Sequence, residues 1–267
     1  MCFREWPNPH PGTQDVNSGF YRLTKGFVME FLSVLGRAEL LTSAFSAYHS
    51  RFMHSGLERF GAALADVHAG VRSMTICVKE GLIVGGVHLL FLEPDVGMGP
   101  VLNLIFGHPS TVVVEYMYAQ DTEQKAAIHA ALWGYVDEVV RVRGAEILAL
   151  EMEDLSVADP SADEFLNIWE AQGFMKANAP YEREVAEDEI GGLTSPALLL
   201  RWTDRTKPGS IGTDTYLTIV EALRATLYQN DPGNDPTYDR IAASIVNDGR
   251  REIEFVPISS PRTFYAC

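Results

Sequence analysis

Residues 82–92, LIVGGVHLLFL, form a dense apolar run, and residues 73–79 just before it, SMTICVK, alternate between apolar and polar. Glu80-Gly81 stands between the two stretches. Two β-prone stretches joined by a two-residue, glycine-containing turn read as a β-hairpin. The pair Gly85-Gly86 lies inside the second stretch and marks either a bulge or a close approach of another backbone. A hairpin of this kind commits the middle of the chain to a sheet, and the remaining segments must supply its partners.

Those partners follow in a definite order. Residues 94–109 carry Pro and Gly punctuation and read as a loop, and residues 111–119, TVVVEYMYA, are strongly β-prone. Residues 122–143 repeat Ala126, Ala130, Trp133, Val136 and Val140 at helical spacing and close on Arg141, Arg143 and Gly144. Cations in a last turn with glycine after it favour a helix C-terminus. Residues 146–152, EILALEM, predict a strand, 162–172 a short helix stopped at Gly173, and 196–202, PALLLRW, a last strand. A strand–helix–strand unit within a largely antiparallel sheet is a mixed α/β architecture. Upstream, residues 1–20 are rich in Pro, Gly and Asn and predict an irregular arm. Residues 21–48 (Phe27, Phe31, Val34, Leu35, Leu40, Leu41) and 56–69 (Leu57, Phe60, Leu64, Val67) carry helical spacing. Downstream, residues 203–213 read as a polar linker, 215–227 and 237–247 as helices, and IEFVPI as a short strand.

Charge bounds the partners. Lys and Arg number 21 and Asp and Glu 36, a formal net charge of −15. Such a surface repels nucleic-acid phosphates and anionic lipid, so neither is expected as a partner. Cys2, Cys77 and Cys267 show no metal spacing, and Cys77 sits in an apolar run as a core thiol. Nothing suggests a disulfide scaffold, which fits a reducing cytoplasm. The first residues, MCFREWPNPHPG, lack an apolar core, and no signal peptide or membrane span is expected. The histidines show no zinc pattern, and no G-x-S-x-G, GxGxxG or Walker sequence occurs.

The block order resembles the GNAT N-acetyltransferase superfamily. The segments that carry the resemblance are VVVEYMYA (112–119), ILALEME (147–153) and NIWEAQGF (167–174), of which Gly173-Phe174 and the spacing between blocks are the most specific. The resemblance implies a GNAT-like domain over 45–202, an N-terminal arm and helix over 1–44 and a C-terminal helical extension over 203–267. It also implies an acyl donor, acetyl-CoA or another acyl-CoA, lying in the gap where strands 112–119 and 147–152 splay apart. There the freed backbone groups, around Met117 and Ala119, pair with pantetheine amides. The helix that follows aims its N-terminus at the pyrophosphate. At that point the family carries Gln/Arg-x-x-Gly-x-Gly/Ala, because glycine lets backbone approach phosphate closely. Here Glu123 stands at the Gln/Arg position, Ala126 at the first glycine and Ile128 at the second. Asp121 and Glu123 suit a helix N-terminus but repel phosphate, and only Gln124 and Lys125 remain to help an anion.

Amine acylation needs a base for the ammonium and an acid for the leaving thiolate. Glu115 matches the family's strand glutamate. A carboxylate flanked by Val112, Val113, Val114 and Met117 should be partly desolvated and a stronger base. The other reading of Glu115 is a buried partner for Arg or Lys, or a substrate-positioning group. The family's acid is a tyrosine where this chain has Trp169, whose indole N–H has no usable acidity. Tyr116 and Tyr118 are the substitutes; on a regular strand they share a face opposite Glu115 and Met117, unless a bulge intervenes. Glu151 and Glu153, on one strand face, and Tyr181, in a changed Y-x-Q-P patch, are expected to line a site for a cationic substrate. The expected activity is acyl transfer to the amine of a small molecule, with a homodimer as an added expectation. The rival is a GNAT-fold protein without CoA-dependent transfer, serving as a binding module or recruited to another small-molecule reaction. Donors such as an acyl carrier protein or aminoacyl-tRNA are disfavoured by the acidic surface.

Overall fold

A computed structural model describes residues 18–22, 28–34, 67, 69–92, 109–120, 123–152, 168–184, 193–194, 196–204, 206, 209–227 and 233–258. The chain forms two compact units, residues 1–91 with 114–143, and residues 92–113 with 144–267.

The first unit is built on strands β1 (Ser18–Arg22), β2 (Val28–Ser33), β3 (Arg72–Lys79) and β4 (Leu82–Leu92), joined in that order as an antiparallel meander. Strand β5 (Thr111–Ala119) lies beside β4. The expected hairpin is β3–β4. Glu80 (φ 51) and Gly81 (φ 80) both take positive φ, as in the hairpin turn whose twist matches that of the strands. Both readings of the glycine pair are realised. Cys77 faces Gly85 and Val78 faces Ile83, which leaves Val84 as the extra, bulged residue. A Cβ on Gly85 would lie 2.7 Å from the Tyr118 carbonyl oxygen, and one on Gly86 would lie 2.8 Å from the Tyr118 ring.

Helix α1 (Lys125–Arg143) covers one face of this sheet, burying Ile128, Ala131, Leu132, Tyr135, Val136, Val139 and Val140. That 3–4–3–4 spacing is one helical stripe. Each fully buried aliphatic side chain in it stabilises by roughly 1.5–3 kcal/mol. The Tyr135 ring stacks on Phe31 at 4.9 Å, and its hydroxyl bonds the Thr75 hydroxyl at 2.9 Å. On the other face, Leu32, Val34, Val67, Met74 and Ile76 make a separate core.

The helix expected over 21–48 is corrected here: residues 28–33 are strand β2, and residues 18–20, expected irregular, begin β1. Residues 31–34 are buried one after another, and a strand covered on both faces shows a continuous apolar run that periodicity does not separate from a helix. Val67 is helical, as expected of 56–69. Ala69 is helical as well, while residues 56–66, 68 and 35–48 lie outside the described residues.

The second unit contains β6 (Ile147–Met152), β7 (Met175–Ala177), the short pair β8 (Arg183–Glu184) and β9 (Leu193–Thr194), then β10 (Ala197–Trp202), β11 (Ser210–Gly212) and β12 (Glu252–Val256). Its main strands run antiparallel in the order β6-β10-β7-β12-β11. Helices α2 (Thr213–Leu227) and α3 (Pro236–Asn247) complete it. The stretch read as a polar linker holds β11. The C-terminal strand β12 pairs with β7, Phe255 opposite Ala177.

Arg224 ties this unit together. It is 1% exposed. Its guanidinium donates to Asp235 Oδ1 at 2.9 Å and to the Glu182 carbonyl at 3.0 Å. Asp235 is also the N-cap of α3, accepting from the Thr237 and Tyr238 amides at 3.0 and 3.1 Å. Removing one partner of a buried pair leaves the other charge uncompensated. Arg224→Ala should therefore cost about 3–5 kcal/mol in chemical denaturation; a loss under about 1 kcal/mol would show that the pair is solvated.

Candidate functional site

Glu115 interrupts the apolar run of β5, and β3 supplies its counter-charge. Arg72 Nη2 lies 3.1 Å from Glu115 Oε1, with the two side chains 8% and 7% exposed. Beside them is His88 of β4, which sits opposite Met74 and meets the Tyr116 ring edge-on at 5.9 Å. The β3–β4 register places Arg72, Met74 and His88 on one face. Glu115 and Tyr116 are adjacent in sequence, yet both engage groups of that face.

The electrostatics differ from expectation. Desolvation alone would make the Glu115 carboxyl a stronger base, but an adjacent guanidinium favours the carboxylate. Arg72 gives Glu115 a buried, charged partner. His88 is pushed down to about 3, first by burial and then by the Arg72 charge, so its imidazole is neutral around pH 7.

The tyrosines separate. Tyr118 is 6% exposed and packs against Gly86, where no side chain would fit. Tyr116 and Met117 are half-buried, and Ala119 is buried. Cys77 is the expected core thiol, pushed up to about 12 by burial.

Helix α1 begins at Lys125 with no acidic residue in its first turn. Glu123 is exposed just ahead of it, and Asp121 lies outside the described residues. The Gln124 side chain accepts from Lys79 Nζ at 2.7 Å, and its carbonyl accepts the Ile128 amide at 2.9 Å. Ala126 is exposed. Ile128 is buried against the Gly85 backbone. Lys79 and Arg72 were both missed by sequence reasoning. They open and close β3, and only the register of that strand against β4 brings them to the site.

In the second unit, the Tyr181 hydroxyl donates to the Glu151 carboxylate, joining two of the three residues expected to meet substrate. Glu153 lies outside the described residues. Trp169 lies within a helical turn, residues 168–171. The Phe174 amide donates to its carbonyl at 3.1 Å across Gly173, whose φ is 84, and the two rings meet edge-on at 6.1 Å. Arg201 lies over the Phe174 ring at 5.4 Å and donates to the Gln172 carbonyl at 3.0 Å. The Gly173-Phe174 block is thus a helix stop with an anchored ring. Among the described residues no group of three or more His, Cys, Asp or Glu is placed to hold a metal, and no helix is long and apolar enough to cross a membrane.

The element order from β3 to β10 is the mixed α/β order expected from the sequence. No family model and no curated protein matches the chain. Solved structures do resemble it. A GNAT-family protein from Bacteroides thetaiotaomicron has a TM-score of 0.49 at 13% identity, over 75% of this chain and 99% of that one. Naa50 of Arabidopsis thaliana, solved with the bisubstrate analogue CoA-Ac-MVNAL, has a TM-score of 0.46 at 9% identity, over 65% and 97%. The aminoglycoside 6'-N-acetyltransferase of Enterococcus faecium has a TM-score of 0.41 at 13% identity, over 65% and 96%. Each is a likeness, and none assigns this chain a substrate.

The buried imidazole makes stability depend on pH. The unfolded chain protonates His88 near the ordinary 6.5, the folded one only near 3. This contribution is therefore complete above about pH 6.5 and lost as pH falls towards 3. Between about pH 7 and pH 5 it should remove about 2 kcal/mol. Denaturant titration of wild type and His88→Asn should show the wild type losing more over this window; equal losses would contradict a neutral His88.

Proposed function

We propose that the chain transfers an acyl group from acyl-CoA to the amine of a small molecule. The observation that carries this reading is Glu115, a carboxylate held within an otherwise apolar central strand at the position of the family's strand glutamate. Acyl-CoA supplies the thioester, and coenzyme A is the leaving thiol. The amine nitrogen forms its bond to the acyl carbon as the carbon–sulfur bond breaks; the amine loses one proton and the thiolate gains one. Within the first unit, Glu115 faces the ammonium and Tyr116 is the half-buried hydroxyl nearest to it in sequence. The backbone at Met117 and Ala119 is suited to pantetheine amides.

The start of α1 fits an anion by charge rather than by shape. Lys79, hydrogen-bonded to Gln124, stands with Lys125 at a helix N-terminus that favours negative charge. Two cations take the place of the glycines that would admit phosphate to the backbone, at a chain position where Glu123 works against them. In the second unit, the proposed substrate-facing carboxylate Glu151 is oriented by Tyr181, and Trp169 takes the place of the family's acid.

The other reading is a GNAT-like protein without CoA-dependent transfer, and the Arg72–Glu115 pair favours it, because a paired carboxylate is a weaker base. Calorimetry separates the two. Acetyl-CoA or a longer acyl-CoA should bind in the micromolar range, and Lys79→Ala with Lys125→Ala should weaken binding about tenfold or more, about 1.4 kcal/mol or more. No heat with any acyl-CoA at about millimolar concentration would overturn the transferase reading.

A further inference from the structure

We propose that Arg72 is the positioning residue of this site, holding Glu115 as a fixed carboxylate that anchors a substrate ammonium instead of taking its proton. The inference rests on the acyl-transfer reading and assigns Glu115 a different task within it.

The argument begins with burial. An arginine this enclosed needs a charged partner, because an uncompensated guanidinium out of water is costly. A guanidinium is not deprotonated in a protein, so the Arg72–Glu115 contact at 3.1 Å sets a permanent positive charge beside the carboxyl. Its described neighbours come from three strands. From β3 comes Arg72 itself. From β4 comes His88, neutral near pH 7 because burial and Arg72 both oppose its charge. On β5 itself, Tyr116 meets His88.

A carboxylate beside a fixed cation binds a proton less readily than a lone buried one. It is therefore poorly suited to accept the proton of an ammonium. It remains well suited to attract and orient one, since a charge-assisted N–H···O bond needs the carboxylate ionised. Arg72 Nη2 meets Oε1 and so restrains the carboxylate. The substrate class this selects is a primary amine that arrives as a cation and gives its proton to water before attack. A neutral amide or an acid would find no complementary charge.

Isotope-edited infrared spectroscopy tests this without any turnover. Glutamate labelled with ¹³C in the side-chain carboxyl, with Glu115→Gln as the subtraction, isolates the Glu115 band. At about pH 5, just above the ordinary glutamate range, wild type and Arg72→Lys should show Glu115 as a carboxylate, and Arg72→Met as a protonated acid. Arg72→Gln is a second neutral variant that can still hydrogen-bond, and circular dichroism confirms which variants fold. A carboxylate band unchanged in the folded neutral variants would overturn the proposal, whatever the activity. In kinetics with acetyl-CoA and a panel of primary amines, Arg72→Gln should raise KM for the amine about tenfold and change kcat less than about threefold, with Arg72→Lys restoring KM. A fall in kcat alone would also overturn it. A shifted band with no turnover on any amine would uphold the hold of Arg72 on Glu115 and overturn the acyl-transfer reading instead.

Discussion

A single charge inside an apolar strand governs the first unit. Glu115 follows three buried valines, and strand β5 can keep a carboxylate there only if a cation is brought within contact distance. Arg72 is that cation, and it reaches the site because β3 pairs with β4 in one register. The bulge at Val84 and the bare backbone at Gly85 and Gly86 let Tyr118 and α1 approach β4 closely. A side chain at either glycine would push against Tyr118 and disturb the strand that carries Glu115. Packing and charge are therefore parts of one arrangement: the glycines set the distance, and the ion pair sets what lies at its end.

How much of this was legible before the structure follows from the range of each interaction. The hairpin announced itself because its turn, Glu80-Gly81, and its two β-prone stretches are adjacent. Helix α1 did so through its 3.6-residue stripe and its Arg141, Arg143 and Gly144 ending. Strand β2 was misread because residues 31–34 are buried on both faces, and burial on both faces erases the alternation that marks a strand. The pairing of β12 with β7 had no local signal, since Phe255 and Ala177 are distant in sequence and β7 is only three residues long.

The site divides in the same way. Glu115 stood out as a charge among valines, and nothing in the sequence said that Glu151 and Tyr181 bond to each other. Arg72 and Lys79 were invisible because each is an ordinary basic residue at the end of an ordinary strand. Their role depends on what the register puts across from them. The glycine-poor helix start looked like a defect in the sequence. In the fold it carries Lys125, and Lys79 reaches Gln124, so the proposed phosphate contact would rest on charge rather than on a steric cradle.

The central claim is that a carboxylate held by an arginine serves an acyl transfer to an amine. Release of free thiol from acetyl-CoA tests it most directly, followed with a thiol reagent in the presence of a mixture of small primary amines. The account predicts amine-dependent thiol release by wild type that falls about a hundredfold or more in Glu115→Gln, about 2.7 kcal/mol or more of lost transition-state stabilisation. Thiol release that is absent, or that is the same in wild type and Glu115→Gln, would contradict it.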